Sequence, residues 1–266
     1  IIMKIGFIGC GNMATAMLKG ILKSGEVEAS DMIASAKSDK TREKIEKELG
    51  IQKADSNAQV VNFADVVFLA VKPQFLEGVL DEIRDSVKAG QIFISIAPGK
   101  TLQWLGERLG ENTKVIRTMP NTPAMVGEGM TALCVNELVT EEETALAVKL
   151  CNTFGKTEVI PEHLMDAVVG VSGSSPAYVF MFLEAMADAA VADGMPRAQA
   201  YKFAAQSVLG SAKLMLETGK HPGELKDMVC SPAGTTIQAV RVLEEKGFRS
   251  AVIEAQTECV KKARGM

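Results

Sequence analysis

Along the first 160 residues, short continuous apolar runs alternate with longer amphipathic stretches. These runs predict buried strands at 4–8, 32–34, 65–71, 92–96 and 114–117, and weaker strands near 51, 131–135 and 157–160. The amphipathic stretches predict helices, among them 12–24, 39–49 and one that starts near Thr140. Apolar strands separated by helices are typical of a parallel sheet covered on both faces. The pattern therefore predicts a doubly wound α/β domain.

Beyond Pro161 only helical periodicity and helix breakers follow. They predict helices over 177–193, 197–218, 235–247 and 250–264, with Ser175 as the cap of the first and Pro176 in its first turn. The first two helices carry few charges, and a domain of about 100 residues cannot bury both of them. They must pack on the first domain or form a subunit interface, and we favour the interface. The predicted domains are residues 1–161 and 162–266.

The charge pattern argues against nucleic-acid and membrane partners. The 266 residues include 29 basic and 33 acidic side chains, so the net charge is −4, and no Lys/Arg run is present. Such a chain is not expected to bind nucleic-acid phosphates. The most apolar stretch, 177–195, is interrupted by Glu184, Asp188 and Asp193, so no membrane span is predicted. The N-terminus lacks a basic segment that leads into an apolar signal core, which favours the cytosol.

Few residues are available for metal binding or for nucleophilic catalysis. The five cysteines lie far apart without a C-x-x-C motif, and the only histidines are His163 and His221. Metal ligation would require closer spacing, so we expect reduced thiols and no metal site. The chemistry is therefore expected to come from a cofactor.

Residues 9–14, Gly-Cys-Gly-Asn-Met-Ala, match the dinucleotide fingerprint G-x-G-x-x-A. The motif directly follows a predicted strand and opens a predicted helix, which is the context that gives it weight. Gly9 allows the tight turn, Gly11 lets the backbone approach a pyrophosphate, and Ala14 allows close packing of helix and strand. The first helical residues, Asn12 and Met13, then lie beside the phosphates.

The end of the second predicted strand bears on the choice of cofactor. An NAD-selective site places Asp or Glu there to bind the adenosine ribose. This chain has Ser35-Ala36-Lys37-Ser38 instead, with no acid before Asp39. Small hydroxyls and Lys37 suit a 2′-phosphate, so the sequence favours NADP(H) and leaves NAD(H) possible.

Several further segments together match one known family. They are residues 6–14, Ala70-Val71-Lys72-Pro73, Met119-Pro120-Asn121-Thr122-Pro123, 172–178 and, as the most specific, 222–244. On these residues the chain resembles the pyrroline-5-carboxylate reductase family over essentially its whole length. Ser175 and Ala233 depart from the pattern, since glycine is common at both positions in that family.

The resemblance implies a fold, a reaction and a set of contacts. It implies a Rossmann-type doubly wound domain, a C-terminal all-helical dimerisation domain, and a homodimer or a higher multiple of dimers. It also implies hydride transfer from NAD(P)H to 1-pyrroline-5-carboxylate, the last step of proline biosynthesis. Ser35 with its neighbours and Asn57 would then lie near the adenosine ribose. Further residues implied to border the cofactor are Ala70, Val71, Lys72 and Pro73, with Ala97 and Asn121 at the nicotinamide half.

The segment 231–236 is a candidate substrate site. Gly234, Thr235 and Thr236 open a predicted helix, whose free N–H groups and dipole make an anion site that fits a substrate carboxylate. On the residues alone, Ser231 and Thr235 could equally be helix caps. The resemblance implies that Ser231 belongs to the substrate loop and that the Thr236 hydroxyl binds the ring nitrogen as the catalytic contact.

Two other functions remain open at this stage. A hydroxyacid dehydrogenase of the same two-domain plan would need a general acid or base on the helical domain, for which Lys202 and Lys213 are the candidates. A noncatalytic NADP(H)-binding sensor would keep the glycine-rich loop, but it would have no need for the site at 231–236.

Overall fold

The computed structural model describes residues 3–265. The first two residues of the predicted first domain, and Met266 of the second, therefore lie outside the described residues. Within this range one sheet has the strand order β3-β2-β1-β4-β5-β6-β7-β8. Its strands are β1 (Ile5–Ile8), β2 (Met32–Ser35), β3 (Gln52–Lys53), β4 (Val66–Leu69), β5 (Ile92–Ser95), β6 (Lys114–Met119), β7 (Gly129–Val135) and β8 (Gly155–Val159). All neighbours in the sheet run parallel except β6 and β7, which pair antiparallel. The predicted strands are confirmed.

Helices cover both faces of this sheet, as the apolar runs predict. They are α1 (Asn12–Ser24), α2 (Asp39–Lys47), α3 (Asn57–Phe63), α4 (Pro73–Ile83), α5 (Leu102–Leu109), α6 (Glu141–Cys151) and α7 (Met165–Val168). Alternate side chains of β1 and β4 enter different core clusters: Phe7 and Phe68 stack with ring centroids 4.5 Å apart in one, whereas Ile8 and Val67 lie in the other. Burial on both faces is the reason that these strands are continuously apolar.

The C-terminal helices follow a π-helical turn at Val169–Gly173. They are α8 (Ser175–Ala192), α9 (Arg197–Thr218), α10 (Pro222–Val229), α11 (Thr235–Glu245) and α12 (Phe248–Ala263). Two details of the sequence prediction are wrong. Helix α10 was not predicted, and the N-cap of α8 is Ser174 rather than Ser175, because the π-helical turn leads directly into α8. Ser174 makes no capping hydrogen bond, and its hydroxyl lies 3.1 Å from Cys259 Sγ.

The described chain divides into two compact units. One contains residues 3–173 and 262–265, and the other contains 174–261. In the second unit, the buried positions of α8 and α9 are Ala187, Ala200 and Ala204, and α10, α11 and α12 have none. Large apolar side chains such as Phe203, which is 67% exposed, and Leu216, which is 83% exposed, face outwards. Apolar surface of this extent is typical of an interaction site.

One helical stretch of the described chain, Glu162–Ala192, is long and apolar enough to cross a membrane when judged by length and composition alone. Its best window has a mean hydropathy of 1.2 and is 6% buried. Glu184 and Asp188 lie within it, and a helix that meets another subunit has the same properties. The absence of a membrane span therefore stays a prediction.

Candidate functional site

The strand register brings the ends of β1, β2 and β4 together at one edge of the sheet. Ile8, the last residue of β1, pairs with Ser35 on one side and with Leu69 on the other. The backbone continues this alignment, since Gly9 N–H donates to Ser35 O at 3.1 Å and Ala70 N–H donates to Ile8 O at 2.8 Å. The segments that follow these three strands therefore open into one crevice. In open α/β sheets this edge is where ligands bind.

Gly9 and Gly11 differ in what their missing side chains allow. Gly9 has φ +95°, and a Cβ there would lie 2.7 Å from the carbonyl oxygen of Ala70. Gly11 is the N-cap of α1 with φ −74°, and a Cβ there would meet nothing within 4 Å. No side chain caps α1, so the first N–H groups of the helix are available to an anion. Gly9 thus serves the turn, while Gly11 leaves the approach to the helix open.

The crevice has a volume of about 940 Å³. The predicted cofactor residues that line it are Gly9, Gly11, Ser35, Lys37, Asn57, Ala70, Val71 and Lys72. Asn12 and Met13 begin α1, and Pro73 begins α4 directly after Lys72, so all three adjoin the lining residues. This volume lies within the range of small-molecule and cofactor sites.

The two remaining predicted residues lie deeper. Ala97 is buried, and its N–H donates to Ser95 Oγ at 3.3 Å. Asn121 uses both ends of its amide on the main chain: Oδ1 accepts from Met130 N–H at 2.8 Å, and Nδ2 donates to Ser172 O at 3.0 Å. A role for either residue at the nicotinamide stays a prediction.

Several lining residues were missed by the sequence analysis. Arg42 donates through Nε to Ala36 O at 2.7 Å, which anchors the guanidinium beside the end of β2. An arginine shortly after this strand is a known signal for a 2′-phosphate site, so it could have been found. Helix α4 contributes Phe75, Val79 and Glu82 from one face, which only the packing of α4 on the sheet makes apparent.

The hydroxyls that were expected to meet a 2′-phosphate already have partners. Ser38 caps α2 by accepting from Thr41 N–H at 3.2 Å, and Ser35 Oγ donates to Asn57 Oδ1 at 2.6 Å. The Lys37 ammonium lies 5.5 Å from the ring centroid of Phe75, where a cation–π interaction holds it at the crevice. Among the residues that follow β2, Lys37 and Arg42 are the basic side chains in the lining, and they can meet added negative charge.

The segment 231–236 forms a tight turn in the second unit. Gly234 N–H donates to Ser231 O at 3.1 Å, and a Cβ on Gly234 would collide with Ser231 Oγ. Ala233 has φ +58°, a left-handed conformation in which glycine is less strained. Gly234 is the N-cap of α11, and no side chain caps this helix. Ser231 and Thr235 are therefore not its caps, and its first N–H groups are available to an anion.

The thiols of the first unit show no sign of reactivity. Burial raises the pKa of Cys10, and it raises the pKa of Cys134 and of Cys151 to about 12, so all three are neutral thiols at physiological pH. Across residues 3–265, no three His, Cys, Asp or Glu side chains cluster closely enough to hold a metal ion.

Two family models match the chain. One, described as pyrroline-5-carboxylate reductase dimerisation, matches residues 162–266. The other, described as NADP oxidoreductase coenzyme F420-dependent, matches residues 4–99. The first match begins where the composition of the chain changes, and the second covers the strands that build the crevice.

Full-length relatives are also similar. The pyrroline-5-carboxylate reductase of Escherichia coli (strain K12) is 57% identical over 260 residues, which are 98% of this chain and 97% of that protein. A solved pyrroline-5-carboxylate reductase from Coxiella burnetii has a TM-score of 0.93 at 33% identity, covering 100% of this chain and 98% of that one. Plasmodium falciparum pyrroline carboxylate reductase, solved with NADP bound, has a TM-score of 0.88 at 29% identity, covering 99% and 97%.

The two motif glycines should respond differently to alanine. Gly9→Ala is expected to lower the free energy of unfolding by about 1–3 kcal/mol or more, because it combines a left-handed backbone with a collision against Ala70 O. Gly11→Ala, the matched control, should lower it by no more than about 1 kcal/mol, since alanine is only a poorer N-cap and its Cβ would meet nothing within 4 Å. Urea denaturation followed by circular dichroism measures both. A Gly9→Ala protein as stable as the wild type would contradict the assigned backbone role.

Proposed function

Because the chain belongs to the pyrroline-5-carboxylate reductase family, we propose that it reduces 1-pyrroline-5-carboxylate to L-proline with a nicotinamide cofactor. The observation that carries the proposal is the near full-length similarity to the Escherichia coli enzyme. The crevice at the carboxyl edge of the sheet supports it, because the glycine turn and the uncapped start of α1 fit a dinucleotide.

The reaction makes modest demands on the protein. A bound nicotinamide supplies the hydride. A protonated imine is already electrophilic, so the chain needs no nucleophile and no metal, and its task is to hold the substrate in position. The backbone around Gly9 and Gly11 would bind the pyrophosphate, with the residues after β4 alongside the cofactor.

The turn at 231–236 is proposed to bind the substrate. The N–H groups at the start of α11 would hold the carboxylate, since no side chain occupies them. Thr236 is the second residue of that helix, and its hydroxyl would hydrogen-bond to the ring nitrogen. Ser231 and Gly234 shape the turn, because the space beside Gly234 is filled by Ser231 Oγ.

The chain is proposed to form a homodimer, or a multiple of dimers, in the cytosol. The outward-facing apolar side chains of α8 and α9 supply an interface, and the dimerisation family matches this part of the chain. We expect no nucleic-acid partner, given the net charge of −4.

A substrate panel tests the reaction itself. Purified protein should oxidise NADPH in the presence of pyrroline-5-carboxylate and not with 2-keto acids. Activity on keto acids would favour the hydroxyacid dehydrogenase, although Lys213 already pairs with Glu217 at 3.5 Å on an exposed helix face. Cofactor binding without turnover of any substrate would favour the noncatalytic sensor.

NADP(H) is the preferred cofactor in this proposal because Lys37 and Arg42 line the crevice beyond β2. Lys37→Glu should therefore lower the ratio of kcat/KM for NADPH to that for NADH by about tenfold or more, since it replaces attraction to a phosphate by repulsion. Lys23→Glu, the same charge change in the last turn of α1 and outside the residues that line this crevice, should alter the ratio by less than about twofold. Steady-state kinetics with both cofactors measure this ratio. A wild type that prefers NADH would refute the assignment of NADP(H) as the preferred cofactor.

Thr236→Val removes the proposed hydrogen bond and keeps the β-branched shape. A bond to a charged nitrogen contributes roughly 1.5–3 kcal/mol, so kcat/KM for pyrroline-5-carboxylate should fall roughly ten- to hundredfold. NADPH affinity, measured by titration, should hardly change. Thr235→Val is the matched control, because that residue offers mainly its backbone N–H. Unaltered kcat/KM in Thr236→Val would exclude the hydroxyl from the reaction.

A further inference from the structure

Three side chains from different elements form a hydrogen-bonded chain at the adenosine end of the crevice. Ser35 ends β2, Asn57 begins α3 and Glu82 lies on α4, and all three line the crevice. Ser35 Oγ donates to Asn57 Oδ1 at 2.6 Å, and Asn57 Nδ2 donates to Glu82 Oε2 at 2.8 Å. Ser56 positions Asn57 by capping α3, since its hydroxyl accepts from Gln59 N–H at 3.2 Å.

The direction of this chain is determined by its last member. A carboxylate only accepts hydrogen bonds, so the Asn57 amide must turn its nitrogen towards Glu82. Its carbonyl oxygen then faces Ser35 and accepts a hydrogen bond from the Ser35 hydroxyl, which has only one proton to donate. Ser35 is left with lone pairs, so it can accept a hydrogen bond from a ligand but cannot donate one to a phosphate.

Glu82 is also distinct from its acidic neighbours on α4. Glu77 and Asp81 both pair with Arg108 of α5, at 2.5 and 3.5 Å. Among residues 3–265, no basic side chain pairs with Glu82, whose hydrogen-bonding partner is the Asn57 amide. Its place on the crevice side of α4 therefore serves the chain of hydrogen bonds rather than the packing of α4 on α5.

We propose that Glu82 is a positioning residue for the cofactor: through Asn57 it holds the Ser35 hydroxyl as an acceptor for a hydroxyl of the adenosine ribose. This inference rests on the proposed function, since it needs a nucleotide in the crevice. The carboxylate that is missing from the end of β2 is thus supplied indirectly from α4. Ser35 recognises the ribose, and Lys37 and Arg42 are left to recognise the 2′-phosphate.

Direct binding measured by isothermal titration calorimetry tests the proposal without turnover. Glu82→Ala frees the amide to rotate, so the affinity for NAD⁺ should fall about three- to tenfold, the worth of one hydrogen bond. Asp81→Ala removes the same charge one residue away without touching Asn57, and it should bind NAD⁺ as the wild type does. Equal affinities of Glu82→Ala and the wild type would overturn the proposal.

NAD⁺ analogues that lack one hydroxyl of the adenosine ribose identify which hydroxyl donates to Ser35. Of NAD⁺ analogues that lack the 2′- or the 3′-hydroxyl of the adenosine ribose, at least one should bind the wild type about three- to tenfold more weakly than NAD⁺. That analogue should lose no further affinity in Glu82→Ala. If both analogues bind the wild type as tightly as NAD⁺, or if Glu82→Ala weakens them as much as it weakens NAD⁺, Ser35 does not accept from the ribose.

A double variant separates positioning from direct contact. In Asn57→Asp/Glu82→Ala the net charge equals that of the wild type, and the new carboxylate can only accept from Ser35. The affinity for NAD⁺ and its dependence on the ribose hydroxyl should therefore return. A double variant as weak as Glu82→Ala would mean that Glu82 acts on the nucleotide directly or through packing.

Two controls keep the outcomes distinct. Thermal denaturation should show that each variant is folded, and Glu82→Met, which keeps about the size of the side chain but has no oxygen to accept from Asn57, takes the place of Glu82→Ala if the latter is not. If the wild type binds neither NAD⁺ nor NADP⁺, the proposed function itself fails. If it binds both and Glu82→Ala binds equally well, only the role of Glu82 is lost.

Discussion

The parallel pairing of β1 with β2 and β4 is the constraint on which the candidate cofactor site depends. Because Ile8 pairs with both Ser35 and Leu69, the three strands end at the same level. The chain can leave β1 at this level only through a residue that tolerates φ +95° and a close approach to Ala70 O, which is why Gly9 stands there. A shift of one residue would send each side chain to the opposite face and would separate Phe7 from Phe68, whose rings stack with centroids 4.5 Å apart.

In the proposed function, the loops that leave this edge would divide the recognition of a dinucleotide among them. Residues after β1 offer main-chain N–H groups, whereas residues after β2 offer the charges of Lys37 and Arg42. Helices α3 and α4 add Asn57 and Glu82, which are hydrogen-bonded to each other, at the proposed adenosine end. The acid and the basic side chains of this crevice have different partners: Glu82 accepts from the Asn57 amide, whereas Lys37 lies over the Phe75 ring and Arg42 donates to Ala36 O.

The sequence predicted those features of this arrangement that are encoded by neighbouring residues, and it missed features that depend on contacts between distant ones. Buried strands and the turn at Gly9 are encoded within a few residues, so the apolar runs and the glycine motif predicted them correctly. The cap of α8 was misplaced because a π-helical turn alters its start. Helix α10 was missed because its first residue is Pro222, and proline interrupts a helical pattern as readily as it begins a helix. The contact of Glu82 with Asn57 could not be predicted, since the two residues are 25 positions apart in the chain and meet only because α4 packs beside α3.

Hydrogen–deuterium exchange with added NADPH or L-proline tests most directly the claim that cofactor and substrate have separate binding elements. NADPH should slow exchange in the segments after β1, β2 and β4, namely residues 9–14, 35–42 and 70–75. L-Proline, added to the NADP⁺ complex, should slow exchange at the start of α11, in residues 234–238. Protection by NADPH at other positions, with exchange at 9–14 unchanged, would contradict the account.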